Sequence, residues 1–272
     1  MKDLIDIGVN LTGKSFQKDL TKVIENADQS GVSQMLVTGT NIEHSELAIE
    51  LCELWPDKLF STAGVHPHHA KEWTDKTALE IHNMAQQDCV KSVGECGLDY
   101  NRNFSEPKDQ RRCFEAQLEL AADLNLPVFL HQRDAHDDFL KILSRWRDKL
   151  SGGVAHCFTG TLEEAKSYLD LDLYIGVTGW LCDERRGKDL QQAVKEIPLT
   201  QLMIETDAPY LLPRDLPIEM IEKLHDRRNE PSVLPHICEA LAQYKNEDPQ
   251  KVAIETTRLA RQFFELPDNT SR

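Results

Sequence analysis

Four residues of this chain have the chemistry of a divalent-metal site, and each is delivered in the same way. Glu95 follows the run Cys89-Val90-Lys91-Ser92-Val93-Gly94, and His131 follows Pro127-Val128-Phe129-Leu130. His156 follows Gly153-Val154-Ala155, and Asp207 follows Leu202-Met203-Ile204-Glu205-Thr206. Short apolar runs bounded by Gly, Pro or polar residues read as strands. Each group is therefore offered at a strand's C-terminal end, where a parallel α/β protein builds its site. Two imidazoles with one or two carboxylates bind a divalent ion and leave positions open, the arrangement that activates water. Taken singly, each residue has a plainer reading. A histidine after a strand is a satisfied rim residue, and an Asp before Ala-Pro is a turn residue or cap. The recurrence of the pattern is what carries weight.

The elements that must position these groups are legible from periodicity. Residues 4–10 read as a first strand and 16–29 as a helix, with Phe16, Leu20, Val23, Ile24 and Ala27 on one face and Gly31 as its stop. Strand 35–39, helix 45–54 and strand 59–65 follow, the last opening onto His66-Pro67-His68-His69. A helix is expected over 78–87. Beyond Glu95, Pro107 suits the first turn of a long helix over 107–124. Helices over 138–147 and 162–169 follow His131 and His156, then strand 173–179 and helix 190–197. Past Asp207 come a charged loop and two helices, 233–244 and 249–264. Eight mostly apolar strands alternating with helices predict a parallel sheet covered by helices. The expected fold is one α/β domain over residues 1–272, a (β/α)8 TIM-type barrel of the metal-dependent hydrolase kind, whose strand ends converge on one mouth. An open doubly wound sheet is the alternative, but no Gly-x-Gly-x-x-Gly follows the first strand and there is no P-loop.

Bulk properties narrow the partners. The 272 residues are close to the ~250 typical of such a barrel. With 31 basic against 46 acidic residues the net charge is −15, which argues against gripping nucleic acid by bulk electrostatics. A nucleic-acid substrate would need metal ions or a local basic patch. The seven cysteines include no Cys-x-x-Cys pair and read as buried, reduced thiols. The N-terminus is acidic too early for a signal peptide, and no apolar run approaches the ~18 residues of a membrane helix. A cytoplasmic, membrane-free protein is expected.

Five motifs, in order, resemble the TatD family of metal-dependent deoxyribonucleases. They are Gly94-Glu95-Cys96-Gly97-Leu98-Asp99, His131-Gln132-Arg133, His156-Cys157-Phe158-Thr159-Gly160, Glu205-Thr206-Asp207-Ala208-Pro209-Tyr210-Leu211-Leu212 and Arg228-Asn229-Glu230-Pro231. The resemblance runs from the first strand to about Pro235. One departure stands out. Where most of the family has Asp-x-His-x-His, this chain reads Asp6-Ile7-Gly8-Val9-Asn10. Gly8 has no ligand atom and Asn10 only a weak carbonyl oxygen, so one tightly held ion is expected, with a second arriving on the substrate phosphate.

The resemblance implies Glu95, His131 and His156 as metal ligands and Asp207 as a further ligand or general base. It implies a divalent ion, Mg²⁺ first, with Mn²⁺ or Zn²⁺ as alternatives. Glu205 either orients water or is a strand-end carboxylate bonded to backbone. His66 and His68 match the family's Gly-x-His-Pro-His, with His66 near phosphate or the ion's water and His69 solvated. Asn10 and Arg133 are candidate substrate contacts. Arg185, Arg186, Arg227 and Arg228 are either phosphate contacts or partners in surface ion pairs. Trp180 and Tyr210 either stack on bases or pack in the core. The implied activity is hydrolysis of single-stranded DNA by a monomeric 3′–5′ exonuclease, with RNA as a further substrate and a role in DNA repair or turnover. The alternative is a small-molecule amidohydrolase on the same barrel, which the missing His-x-His disfavours. A non-catalytic binding protein is a third reading, disfavoured by the intact Glu95, His131, His156 and Asp207.

Overall fold

A computed structural model of the chain describes residues 3–268. The strands are β1 (Leu4–Val9), β2 (Val32–Val37), β3 (Leu59–Ala63), β4 (Val90–Asp99), β5 (Val128–Arg133), β6 (Gly153–Ala155), β7 (Tyr174–Val177) and β8 (Leu202–Ile204). They form one sheet in chain order. Between them run α1 (Leu20–Gln29), α2 (Ile42–Leu54), α3 (Asp75–Ala85), α4 (Pro107–Leu124), α5 (His136–Trp146), α6 (Leu162–Leu169) and α7 (Lys188–Glu196). A short α8 (Ile218–Ile221), α9 (Leu234–Lys245) and α10 (Pro249–Phe263) complete the described chain. This is the expected (β/α)8 barrel class. Among the described residues no helix is long and apolar enough to cross a membrane.

The fold consists of two compact units. The first holds residues 3–36, 157–166 and 175–268; the second holds 37–156 and 167–174. In the first, β7 pairs parallel with β8, while the Asp207 amide donates to the Gly8 carbonyl and the Asn10 amide to Ala208 O, joining the last strand's end to the first. α10 packs on β1 and β8, and Thr257 Oγ1 donates to Asp3 O. In the second unit β3, β4, β5 and β6 pair parallel in succession. α4 covers β4, and two of its buried amides hook it to the end of β4 and to the segment after β3. Gln110 Oε1 accepts from the Asp99 amide and its Nε2 donates to Asp99 O; Gln117 does the same with both backbone groups of Val65.

Several boundaries differ from expectation, for identifiable reasons. Residues 16–19 form i→i+3 turns, so α1 begins at Leu20. The Asn41 side chain caps α2 by accepting from the His44 amide, which moves its start to Ile42. Thr74 and Thr77 form a reciprocal cap that starts α3 at Asp75. The larger correction concerns β4 and β5. Their pairing continues past Glu95 and His131 to Asp99 opposite Arg133, so both groups lie within strands and not after them. Gly97 lies within β4. With φ near +143° it lets β4 pass so close under β5 that a Cβ there would strike the His131 carbonyl. Gly94, at φ +145°, lies similarly under the Phe129 carbonyl, where an added Cβ would also clash. None of the seven cysteines is in a disulfide, and five are buried.

Candidate metal centre

In the second unit, strand pairing gathers side chains that are far apart in sequence. Glu95 Oε1 is the hub. It lies 2.8 Å from His131 Nδ1, 3.5 Å from His66 Nε2 and 3.8 Å from His156 Nε2. The supports are backbone bonds. The Glu95 amide donates to Gly39 O, the His66 amide to Thr40 O and the His156 amide to Leu130 O. The His66 and His131 rings meet edge-on at 4.5 Å, and Phe129 tilts against His156 at 4.6 Å.

Asp99 was not singled out from the sequence, yet it belongs to this cluster. Its Oδ1 accepts from the backbone amides of Asn101 and Arg102. That leaves Oδ2 aimed at His68 Nε2, 2.8 Å away, and His131 Nε2, 3.7 Å away. His68 is therefore tied to Asp99, with the Phe104 ring edge-on against it. Strand reading missed Asp99 because the run was expected to end at Gly94. The signal available was the alternation of Glu95, Gly97 and Asp99 on one face of an extended chain.

Electrostatics divide the groups by role. Burial alone would raise the Glu95 carboxyl, but His66, His131 and His156 around it hold it well below the usual carboxylate range. Asp99 is held low in the same way, against burial, by His131, His68 and the Arg102 amide. Burial disfavours the charged form of His131, yet the Asp99 and Glu95 carboxylates beside it raise it to about 9. Burial lowers His66 to about 3, so its ring is neutral. Its Nδ1 accepts from the His68 amide, which places the proton on Nε2, facing Glu95. His66 is thus a donor to oxygen anions and not a nitrogen ligand through Nε2, although His66, Glu95 and His131 offer ligand atoms within 4.8 Å of one another.

This donor set fits a divalent cation. Two buried carboxylates remain ionised, and the positive charge between them is an imidazolium. The His131 Nε2 atom is buried without a hydrogen-bond partner. A metal-ligating histidine that gives its other N–H to a carboxylate is the usual arrangement, and His131 has both the Glu95 contact and the unpartnered nitrogen.

In the first unit the rim of β1 and β8 is organised differently. Asp6 Oδ1 accepts from the Gly8 and Thr206 amides, and its Oδ2 accepts from Thr206 Oγ1. Burial pushes the Asp6 carboxyl up to about 7, against those bonds. Fully buried Glu205 accepts from the Cys157 amide at 2.5 Å, the backbone-bonded arrangement. Asp207 has φ near +52°, and its Oδ1 accepts from Asn10 Nδ2 at 2.9 Å. Asn229 Nδ2 donates to Thr206 O and Tyr210 O, fixing both sides of Asp207. Most arginines of this unit form ion pairs, whereas Arg227 is exposed and has none among the described residues. Arg228 binds Asp19 and Glu230 over the Phe16 ring, and Arg186 binds Asp183 over Trp180. Arg185 sits 3.7 Å from Glu184. Tyr210 is 60% exposed. In the second unit Arg133 is exposed at the end of β5, with no ion pair among the described residues.

The sequence model of the family described as TatD related DNase matches residues 5–265. The chain is 50% identical over 263 residues to the 3′-5′ ssDNA/RNA exonuclease TatD of Pectobacterium carotovorum subsp. carotovorum (strain PC1), covering 97% of this chain and 100% of that one. A TatD-family hydrolase from Entamoeba histolytica superposes with a TM-score of 0.87 at 27% identity, over 98% of this chain and 99% of that one. A TatD homologue from Escherichia coli K12 does so with a TM-score of 0.86 at 26% identity, over 97% and 99%.

Proposed function

The chain belongs to the TatD-related DNase family, and from that premise we propose that it is a metal-dependent 3′–5′ exonuclease on single-stranded DNA, with RNA as a second substrate. The observation that carries the reading is the convergence of three imidazoles on Glu95 Oε1, with Asp99 beside them. Glu95, His131 and His156 are the proposed ligands, with Asp207 as a further ligand or base. A divalent ion held there, Mg²⁺ in this proposal, supplies Lewis acidity toward water and the scissile phosphate.

The chain's own residues do the rest. Neutral His66 presents Nε2–H to a non-bridging phosphate oxygen. Asp99 holds His131 and His68 in place through the oxygen its backbone bonds leave over. Asp207 takes the proton of the attacking water, and the Asn10 amide, donating to its Oδ1, holds the carboxylate in place. Glu205 acts as a positioning residue by holding the Cys157 amide. Arg133 contacts the strand's phosphates, since it is exposed at the end of β5, beside His131, and has no ion pair among the described residues. With a net charge of −15 and arginines engaged locally, the enzyme lacks the basic surface needed to open a duplex. The proposed setting is a cytoplasmic monomer serving DNA repair or turnover.

End-labelled single-stranded oligonucleotide, resolved as a ladder, tests this. Chelation should abolish shortening and added Mg²⁺ or Mn²⁺ should restore it. Label at the 5′ end should yield a progressive ladder, and matched blunt duplex should be cut more slowly. Equal rates on both forms, or activity that survives chelation, would overturn the reading.

A further inference from the structure

A second group of ligand-type side chains lies in the first unit, away from the residues used above. Cys182 ends the 3₁₀ turn Gly179–Cys182 that follows β7; Asp215 sits in the loop after β8; His236 is in the first turn of α9. One ligand atom from each lies within 4.8 Å of the other two. A tetrahedral zinc site with bonds of ~2.0–2.3 Å has donors roughly 3.3–3.8 Å apart, so only small shifts are needed, including a slight opening of the His236–Asp215 contact. His236 Nε2 is already 2.8 Å from Asp215 Oδ1.

The group is framed by packed structure. α9 packs on the Gly179–Cys182 turn. Gly179 lies so close to the segment before Asp215 that an added Cβ would meet Leu211 O and the Pro213 ring. Cys182 is buried, the His236 side chain is 17% exposed and that of Asp215 is 56% exposed. The two inner donors are thus fixed and the outer one stands open to solvent, as a route of entry requires. A catalytic reading fails on order. A nucleophilic cysteine needs an imidazole between thiol and carboxylate. Here both the thiol and the imidazole face the carboxylate, and burial together with Asp215 pushes the thiol up, away from thiolate.

We propose that Cys182, Asp215 and His236 form a second, structural metal site that takes Zn²⁺ through sulfur, oxygen and nitrogen, with water as the fourth ligand. Binding replaces the Cys182 S–H bond with a sulfur–zinc bond and releases one proton to solvent. The ion would clamp the turn after β7, the loop after β8 and α9 together. It would steady the adjoining segment in which Arg186 and Arg214 pair with Asp183 and Glu184. The inference does not depend on the nuclease reading.

Co²⁺, added to full-length protein stripped by chelation, is the probe. A saturable thiolate-to-cobalt charge-transfer band is expected in the near ultraviolet. It should vanish in Cys182→Ser, persist in Glu95→Ala, and need about tenfold or more Co²⁺ in His236→Gln. Zn²⁺ should displace it, release about one proton per ion and raise the thermal midpoint of the parent protein more than that of His236→Gln. His236→Gln serves as the second variant because that partly exposed side chain tolerates replacement better than buried Cys182. No band in the parent protein, a band that survives Cys182→Ser, or a band indifferent to His236→Gln would overturn the proposal.

Discussion

The cluster around Glu95 and the rim around Asp6 both bury carboxylates carried on strands, yet they treat them in opposite ways. Glu95 and Asp99 stay ionised because imidazoles and backbone amides outweigh the cost of burial. Asp6 is equally buried, but hydroxyl and amide donors do not outweigh that cost, and its carboxyl is pushed up to about 7. The first arrangement keeps negative charge and one buried nitrogen unmatched, which is what a cation site needs. The second binds both oxygens of Asp6 within the protein and acts as a brace between β1 and the residue before Asp207. Burial of a carboxylate therefore does not identify a metal ligand; the surplus of unmatched donors does.

The largest expected effect tests the cluster directly. Glu95→Ala and His131→Ala should each lower the exonuclease rate by several orders of magnitude while circular dichroism stays unchanged. Full activity in either variant, in preparations free of contaminating nuclease, would erase the distinction between the two regions.

Next comes the pH dependence of the brace. The folded Asp6 carboxyl titrates near 7 against 3.8 when unperturbed. Its contribution to stability is therefore full below about pH 4, is lost as pH rises toward 7, and is flat beyond. Three pH units correspond to at most about 4 kcal/mol. Urea unfolding of chelated protein from pH 4 to 8 should show this decline relative to Asp6→Asn. Parallel stability curves for the two proteins would mean that Asp6 is ionised when folded.

Asp99→Asn should have a smaller effect, roughly 10–100-fold on metal affinity or rate, as expected for loss of a group that orients a ligand. The activity should recover in part with excess Mn²⁺, which a purely structural defect would not allow. Smallest is Asn10→Ala, which frees Asp207 Oδ1 of its amide donor and should cost about 1 kcal/mol, a few-fold in rate. An effect as large as that of Glu95→Ala would move Asn10 into the metal's own shell.

The sequence by itself determined the alternation of eight strands and helices, because apolar periodicity and capping residues act within a few positions of each other. It also delivered Glu95, His131, His156 and Asp207 as the groups to watch, since a ligand after an apolar run is a local pattern. The 18-residue helix α4 was legible in full from Pro107 and its apolar stripe. The neighbours of each group were not legible. Asp99 meets His68 across 31 positions and Asn10 meets Asp207 across 197, and no local pattern carries such pairings. Only the register of β4 against β5, made possible by a glycine beneath the His131 carbonyl, put Asp99 beside His131. Residue type fixes what a carboxyl can do, but its charge depends on what surrounds it. Tertiary packing therefore decided that Glu95 remains an anion while Asp6, within an equally apolar strand, is pushed toward its neutral form.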